Sequence, residues 1–580
     1  MSRPMGMPVA FGQCAGFFHD GGGSTGLLML PAWGFEELTI RRGWAELAVQ
    51  LSGAGYACLR FDWPGSADSL GDTRDLPSLA PWQDAVTDAA TWLKGQGSIE
   101  RIVVLGHGVG ALMAAHAADR IGAAALVMMA PQRAGRAGMR ELSVWGGLLA
   151  SALNIPSQAQ ANDLDIGGFG LSAGLARDIG QSAPGALPPV ASVPALLLMR
   201  PTRPGDAEWA EALDSAGFSV TRTEYGGHDR FVAHQTASMV PANDFTTILE
   251  WLGRMVPPGD GEQVARAPWP KGLALDGGVF EERPLLFGPE DRMAGILCTP
   301  KGQLARAVAV LVNSGFNSRI GWARSHVFLA RKLAESGIAS FRIDTHGLGD
   351  SENRPDPAAP LIYDDHQIRD VEAAIDAIAP LGLGPIITFG RCSGAYAAIQ
   401  AAVRDSRVAG LVAVNAVRLI LDPNETHEQR MHSGTTSIKA SRSRALSPGL
   451  LGDILKGRMS LAHVIRRGTS MLVKSGTEMA GRLGGGQTHF ARLKQEVNAQ
   501  AARLNARGLR PILVFADNDA GLDELARYFG RQEPADYDHA EIRVVAETEH
   551  NMTAMHAREA MLSALVDAAT HACRREAKAA

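Results

Sequence analysis

The succession of apolar runs, turns and helical stretches in residues 26–110 is written a second time in residues 308–394, and this duplication limits the fold more than any other feature. In the first copy Gly26-Leu27-Leu28-Met29-Leu30-Pro31 reads as a buried strand, and Trp44 to Leu51 as an amphipathic helix ended by Gly53 and Gly55. Tyr56 to Asp62 is the next strand, Trp63 to Ser69 a loop, and the stretch around Trp82 to Leu93 a helix. The copy closes on Arg101-Ile102-Val103-Val104-Leu105-Gly106-His107-Gly108-Val109-Gly110. In the second copy Val308 to Val312, Val327 to Glu335, Ile338 to Asp344 and Asp364 to Ile378 take the same places. Pro385-Ile386-Ile387-Thr388-Phe389 then runs into Gly390-Arg391-Cys392-Ser393-Gly394. Asp62 thereby pairs with Asp344, and Gly108 with Cys392. Alternating strands and helices predict an α/β fold of mostly parallel sheets covered by helices on both faces. Two such domains also account for 580 residues, too many for one ordinary core. The expected division is residues 1–256, a Pro/Gly-rich linker over 257–275 beginning at Pro257-Pro258-Gly259-Asp260-Gly261, and residues 276–580.

At Cys392 a β-prone run meets a Gly-x-Cys-x-Gly turn, and the Ala-rich helical run Ala395-Tyr396-Ala397-Ala398 follows at once. That is the layout of a nucleophile elbow, where a reactive side chain sits on a strained strand-to-helix turn. The flanking glycines fit because a Cβ there would crowd the nucleophile or the packing of helix on strand. The bland alternative is a buried core cysteine, since free Cys is among the most buried residue types. Coinciding strand, turn and helix signals favour the elbow. Ser393 is rejected as nucleophile, because it would put Arg391 where the motif needs glycine.

Composition sets outer bounds. A hydrophobic content of 46% with 20% charged residues describes a globular chain. The formal net charge of -5 argues against nucleic acid as a partner. Cys14, Cys58, Cys298, Cys392 and Cys573 are scattered and odd in number, forming neither a disulfide framework nor a metal-binding spacing. No apolar run reaches membrane-spanning length, and the N-terminus has no signal-like apolar stretch, so a cytoplasmic location is expected. No cofactor is called for, and a homo-oligomer is compatible with the sequence.

Both copies resemble the α/β-hydrolase superfamily. The stretches Pro31 to Asp72 and Asn313 to Ser351 further resemble the serine-aminopeptidase-like hydrolases associated with exosortase and exopolysaccharide gene clusters. The resemblance implies an acid and then a histidine after the nucleophile. Asp519, past the strand Pro511 to Phe515, takes the acid's place, with Asp517 as alternative. His550, past the strand Glu541 to Val545, takes the base's, with His556 a poorer choice. The backbone amides of Phe316 and Ser393 would form the oxyanion hole. A lid insertion is expected over about 418–508; from Arg430 through Arg510, fifteen Lys/Arg stand against three acids. That excess is either a solvated face or a cap for an anionic substrate, such as an acidic glycan precursor or the acyl thioester of a phosphorylated carrier. Arg391, Arg319 and Arg324 are the candidate substrate-binding residues. The first copy keeps His228 at the base position but has Gly108 at the elbow and no acid before Asp206, so it reads as a degenerate supporting domain. The expected activity is hydrolysis of carboxylic esters or thioesters by a Cys-His-Asp triad. An acyltransferase with the same triad, or a non-catalytic binding protein, is the alternative.

Overall fold

The computed structural model describes the chain apart from residues 1–5, 97–98, 134, 154, 156–163, 236, 261–273, 355, 357–360, 432–487, 531–539 and 580. Most of the linker and of the basic insertion expected from the sequence lies outside the described residues. The chain falls into two compact units, residues 1–305 with 315–359, and residues 306–314 with 360–580.

In the first unit β1 (Met7–Phe11), β2 (Cys14–His19), β3 (Thr25–Leu30), β4 (Ala57–Phe61), β5 (Arg101–His107) and β6 (Ala125–Met129) precede a small hairpin of β7 (Leu164–Ile166) and β8 (Phe169–Leu171). With β9 (Pro194–Met199) and β10 (Ser219–Glu224) they form an eight-stranded sheet in the order β1-β2-β4-β3-β5-β6-β9-β10. β1, β2 and β4 pair antiparallel, and every pairing from β4 to β10 is parallel. β3 is buried along its whole length, as a parallel strand covered on both faces must be. Its alternate residues serve two cores: Leu28 and Leu30 join Trp63 and Trp82, while Leu27 and Met29 join Trp44 and Trp251.

The same unit holds β11 (Leu275–Asp276), β12 (Phe280–Phe287) and β13 (Met293–Pro300). β14 (Val308–Val312) belongs to the second unit, and β15 (Ala339–Ile343) returns to the first, pairing antiparallel with β13. The division differs from the expected break near 257–275, because residues 276–305 and 315–359 pack with the first unit. A buried network of charges ties these segments to the first repeat, beside apolar contacts such as Ala67 with Ile320 and Val327. Arg319, 1% exposed, pairs with Asp344, with Asp350 at 2.7 Å and with Asp68 at 2.7 Å. Arg342, also buried, meets Asp68 at 2.5 Å and Glu282 at 2.6 Å. Arg60 reaches Asp350 at 2.7 Å, and Arg41 reaches Asp62 at 2.8 Å.

The two repeats build this network from one template. Ser69 Oγ donates to Asp62 O and Ser351 Oγ to Asp344 O, each at 2.7 Å. The amide of Asp68 donates to Asp62 Oδ2, and that of Asp350 to Asp344 Oδ2. The acid of each loop then pairs with arginines of the other repeat. Burial would raise the Asp68 carboxyl, but Arg319 and Arg342 hold it far below the usual carboxylate range. Removing one partner of such a buried set costs about 3–5 kcal/mol, because it strands a charge.

In the second unit β14, β16 (Ile386–Arg391), β17 (Val408–Val414), β18 (Ile512–Ala516) and β19 (Glu541–Val545) run parallel in that order. Among the described residues no helix is long and apolar enough to cross a membrane.

Candidate active site

The elbow forms as β16 gives way to the helix Ser393–Arg404. Cys392, between them, has φ 53 and ψ -119, a conformation that costs a residue with a Cβ about 1–3 kcal/mol. The neighbourhood enforces it. The Cys392 amide donates to Val414 O at 3.0 Å, and a Cβ on Gly394 would come within 2.7 Å of Asn313 O and 2.8 Å of Val312 O. The glycine at 394 therefore lets the helix sit directly on the end of β14. Gly108 reproduces the turn with φ 58 and ψ -121, and its amide donates to Met129 O at 3.1 Å. The backbone device is intact in both copies; only the side chain differs.

Around Cys392 the strand ends of the second unit converge. Asp519, 1% exposed, caps the helix Ala520–Phe529 by accepting from the Gly521 amide at 2.7 Å. Its other oxygen, Oδ2, lies 2.6 Å from His550 Nδ1. Asp517 is exposed, and His556 is exposed with Nε2 2.9 Å from Ala546 O, so neither alternative joins the cluster. His550 Nε2 is buried and makes no hydrogen bond of ordinary geometry. The imidazole is nonetheless close enough to Cys392 for each to shift the other's titration. Catalytic hydrogen bonds are often long before substrate arrives.

Burial pushes the Cys392 thiol up, but the charge of His550 and a contact with it, then the Arg391 guanidinium, more than reverse this and bring it to about 7. Burial pulls His550 down, and Asp519 and the thiolate overcome that, lifting it to about 10. The coupled pair therefore favours thiolate and imidazolium together near neutrality.

Three supporting residues were not singled out from the sequence. Tyr363, buried with φ 54, places its hydroxyl 3.7 Å from Cys392 Sγ. Asn415, with φ 47 at the end of β17, donates to His550 O at 2.8 Å and accepts from the Ala516 amide at 2.8 Å. Glu549, buried beside the histidine, accepts from the Thr553 amide at 3.2 Å and ties the loop to itself. The only signal for Asn415 was its place just after a strand, and nothing in the sequence marked Tyr363.

The three arginines expected to bind substrate are engaged within the protein. Arg391 is buried; Nη1 donates to Asn551 Oδ1 at 2.8 Å and His550 O at 3.2 Å, and Nη2 to Ser314 Oγ at 2.9 Å. It holds the histidine loop instead of reaching outward. Arg319 is consumed by three carboxylates, and Arg324 by the carbonyls of Gly65, Ala67, Ser69 and Gly71 at 2.7–2.9 Å. Of the expected oxyanion donors, Ser393 opens the helix behind Cys392, whereas Phe316 is a half-buried turn residue of the first unit.

In the first unit the corresponding places are differently filled. His228 Nδ1 lies 2.9 Å from Asp229 Oδ1, while Asp206 is engaged by Arg200 through contacts of 2.6–3.0 Å. Among the described residues, the carboxylate beside His228 is that of its neighbour Asp229, and not one at the end of the preceding strand as Asp519 is.

The family model described as "Alpha/beta hydrolase family" matches twice, over residues 17–304 and 309–567. No curated protein sequence matches the chain. Among solved structures, Est1E from Butyrivibrio proteoclasticus with ferulic acid bound is 15% identical, covering 43% of this chain and 99% of that one, with a TM-score of 0.33. A dienelactone hydrolase from Anabaena variabilis is 12% identical over 50% of this chain and 98% of that one, with a TM-score of 0.31. A cold-adapted esterase from an Arctic intertidal metagenomic library is 13% identical over 51% and 98%, with a TM-score of 0.29.

Proposed function

Because the chain belongs to the α/β-hydrolase family, with two tandem copies of its domain, we propose that it hydrolyses carboxylic esters or thioesters through an acyl-enzyme on Cys392. The observation that carries this reading is the 2.6 Å contact of Asp519 with His550 beside a thiol lowered to about 7. In the first step the Cys392 thiolate adds to the substrate carbonyl, and the amide of Ser393, at the helix N-terminus, donates to the oxyanion. The tetrahedral adduct collapses, the carbon–oxygen or carbon–sulfur bond breaks, and imidazolium Nε2–H gives its proton to the departing alkoxide or thiolate. Neutral His550 then takes a proton from water, which attacks the thioester. The acid leaves, and thiolate and imidazolium are restored. Asp519 keeps the proton on Nδ1 and offsets the imidazolium charge throughout. Arg391 and Asn415 fix the loop that presents His550.

The basic excess between Arg430 and Arg510 supports an anionic substrate. Together with the resemblance to exopolysaccharide-associated hydrolases, it suits an acylated acidic glycan or a phosphorylated acyl carrier. In the second reading an alcohol or sugar replaces water as acceptor; the Gly-x-Cys-x-Gly box is compatible with either, since a cysteine nucleophile does not by itself separate water from another acceptor. Incubation with acyl p-nitrophenyl esters and acyl thioesters, followed by mass analysis of the Cys392 peptide, tests both. An adduct that decays in water with release of acid supports hydrolysis; one that persists until an alcohol or sugar is added supports transfer. No adduct with either substrate class would remove both readings and leave a binding protein.

A further inference from the structure

Three chemistry-bearing side chains of the first unit have no part in the mechanism above. Glu36 lies in the first turn of the helix Phe35–Gly53, His107 ends β5, and His228 follows β10. One ligand atom from each lies within 4.8 Å of the other two. Glu36 Oε1 and His107 Nδ1 are 3.5 Å apart. Two atoms each about 2.0–2.1 Å from one tetrahedral ion lie roughly 3.3–3.4 Å apart, so this pair is already close to ligand spacing.

Hydrogen bonding in the cluster is incomplete in a consistent direction. His107 is fully buried, and neither of its ring nitrogens has a hydrogen-bond partner. His228 Nε2 is likewise buried and unpartnered, while its Nδ1 is held by Asp229 Oδ1 at 2.9 Å. A carboxylate behind one ring nitrogen with the other left open is the arrangement that orients a metal-binding imidazole. The Tyr225 hydroxyl, buried and without a partner, stands beside both rings, their centroids 5.9 Å and 5.3 Å from its own. Arg200 is the nearby cation, and Asp206 neutralises it. The empty elbow opens the place: a Cβ on Gly108 would run into the Glu36 carboxylate.

We propose that Glu36, His107 and His228 form a mononuclear site for a divalent first-row transition ion, Zn²⁺ foremost, in the copy whose elbow carries glycine. Two imidazoles select against Mg²⁺ and Ca²⁺, which prefer oxygen ligands. One carboxylate with two imidazoles is a three-ligand set that leaves a further position for water or a small anion.

The test uses tag-free full-length protein carrying Cys392→Ala, which removes the reactive thiol as a competing ligand. After chelator treatment, titration with Zn²⁺ alone should show one tight site per chain. Co²⁺ should give an absorption spectrum of a low-coordinate nitrogen/oxygen site without thiolate bands. His228→Asn and Glu36→Gln, added singly, should each weaken Zn²⁺ binding at least about tenfold. Zn²⁺ should raise the melting temperature of the parent but not of His228→Asn, a readout that stands even if changes at the fully buried His107 prevent folding. Absence of stoichiometric uptake by the parent, or unchanged affinity in both folded variants, overturns the site.

Discussion

The elbows at Gly108 and Cys392 share a backbone and differ in everything that chemistry needs. Their φ and ψ values differ by only a few degrees, and each central amide donates to the end of the neighbouring strand. Around Cys392 the carboxylate of Asp519 backs a histidine and a tyrosine hydroxyl faces the thiol. Around Gly108 a glutamate fills the nucleophile's space, and the acid that could have backed His228 is bound to Arg200. Strain at the turn therefore belongs to the fold and does not depend on the side chain at its tip. The proposed reactivity rests on the side chains converging on Cys392.

The comparison can be broken by moving the nucleophile. Cys392→Ala should lower ester hydrolysis at least about a thousandfold, and adding Gly108→Cys to it should restore nothing, because Glu36 stands where that thiol would go. Recovery of turnover in the double variant would mean the first copy had kept its machinery. Next in size is the buried network. Arg319→Met should destabilise the protein by about 3–5 kcal/mol in urea unfolding, whereas Arg407→Met, which breaks partly exposed pairs with Asp376 and Asp405, should change it by no more than about 1 kcal/mol.

The electrostatic half of the comparison is read by pH. The Cys392 thiol is lowered to about 7, so its alkylation by iodoacetamide should rise through that pH, and hydrolysis should fall again as His550 loses its proton near 10. His550→Gln removes the chief cause of the lowering, so the alkylation midpoint should move upward; with a free thiol near pKa 8.5, reaction at pH 7 slows about tenfold or more. A midpoint that stays near 7 would shift the credit to Arg391. The smallest effect is expected of Gly108→Ala. Its Cβ must displace Glu36 and accept a positive φ, which costs about 1–3 kcal/mol of stability, while turnover per folded molecule stays within twofold of the parent.

Much of this architecture was legible because it is local. The apolar run of β3 and the Gly-x-Cys-x-Gly turn are each readable within a few residues, and the duplication supplied a second copy to check them against; the order Cys392, Asp519, His550 came instead from the resemblance to a family. What was not legible concerns partners distant in the chain. Arg319 and Arg324 sit in a loop after a strand, where a cation looks available for substrate. The Asp68 that binds Arg319 is 251 residues away, and no spacing rule connects them. The compact units likewise do not coincide with the repeats, since residues 315–359 group with the first unit, which holds their ionic partners. Tyr363 reaches Cys392 only because its loop folds back, at a backbone angle that sequence does not announce for tyrosine.

The crossed pairing of Asp68 with Arg319 and Arg342, and of Asp350 with Arg60, bears on how such a chain can change over time. Each repeat holds counter-charges of the other, so excising the first would strand Arg319 and Arg342 without Asp68. The side chains at the two elbows can therefore vary independently, while these carboxylates and arginines have to stay matched.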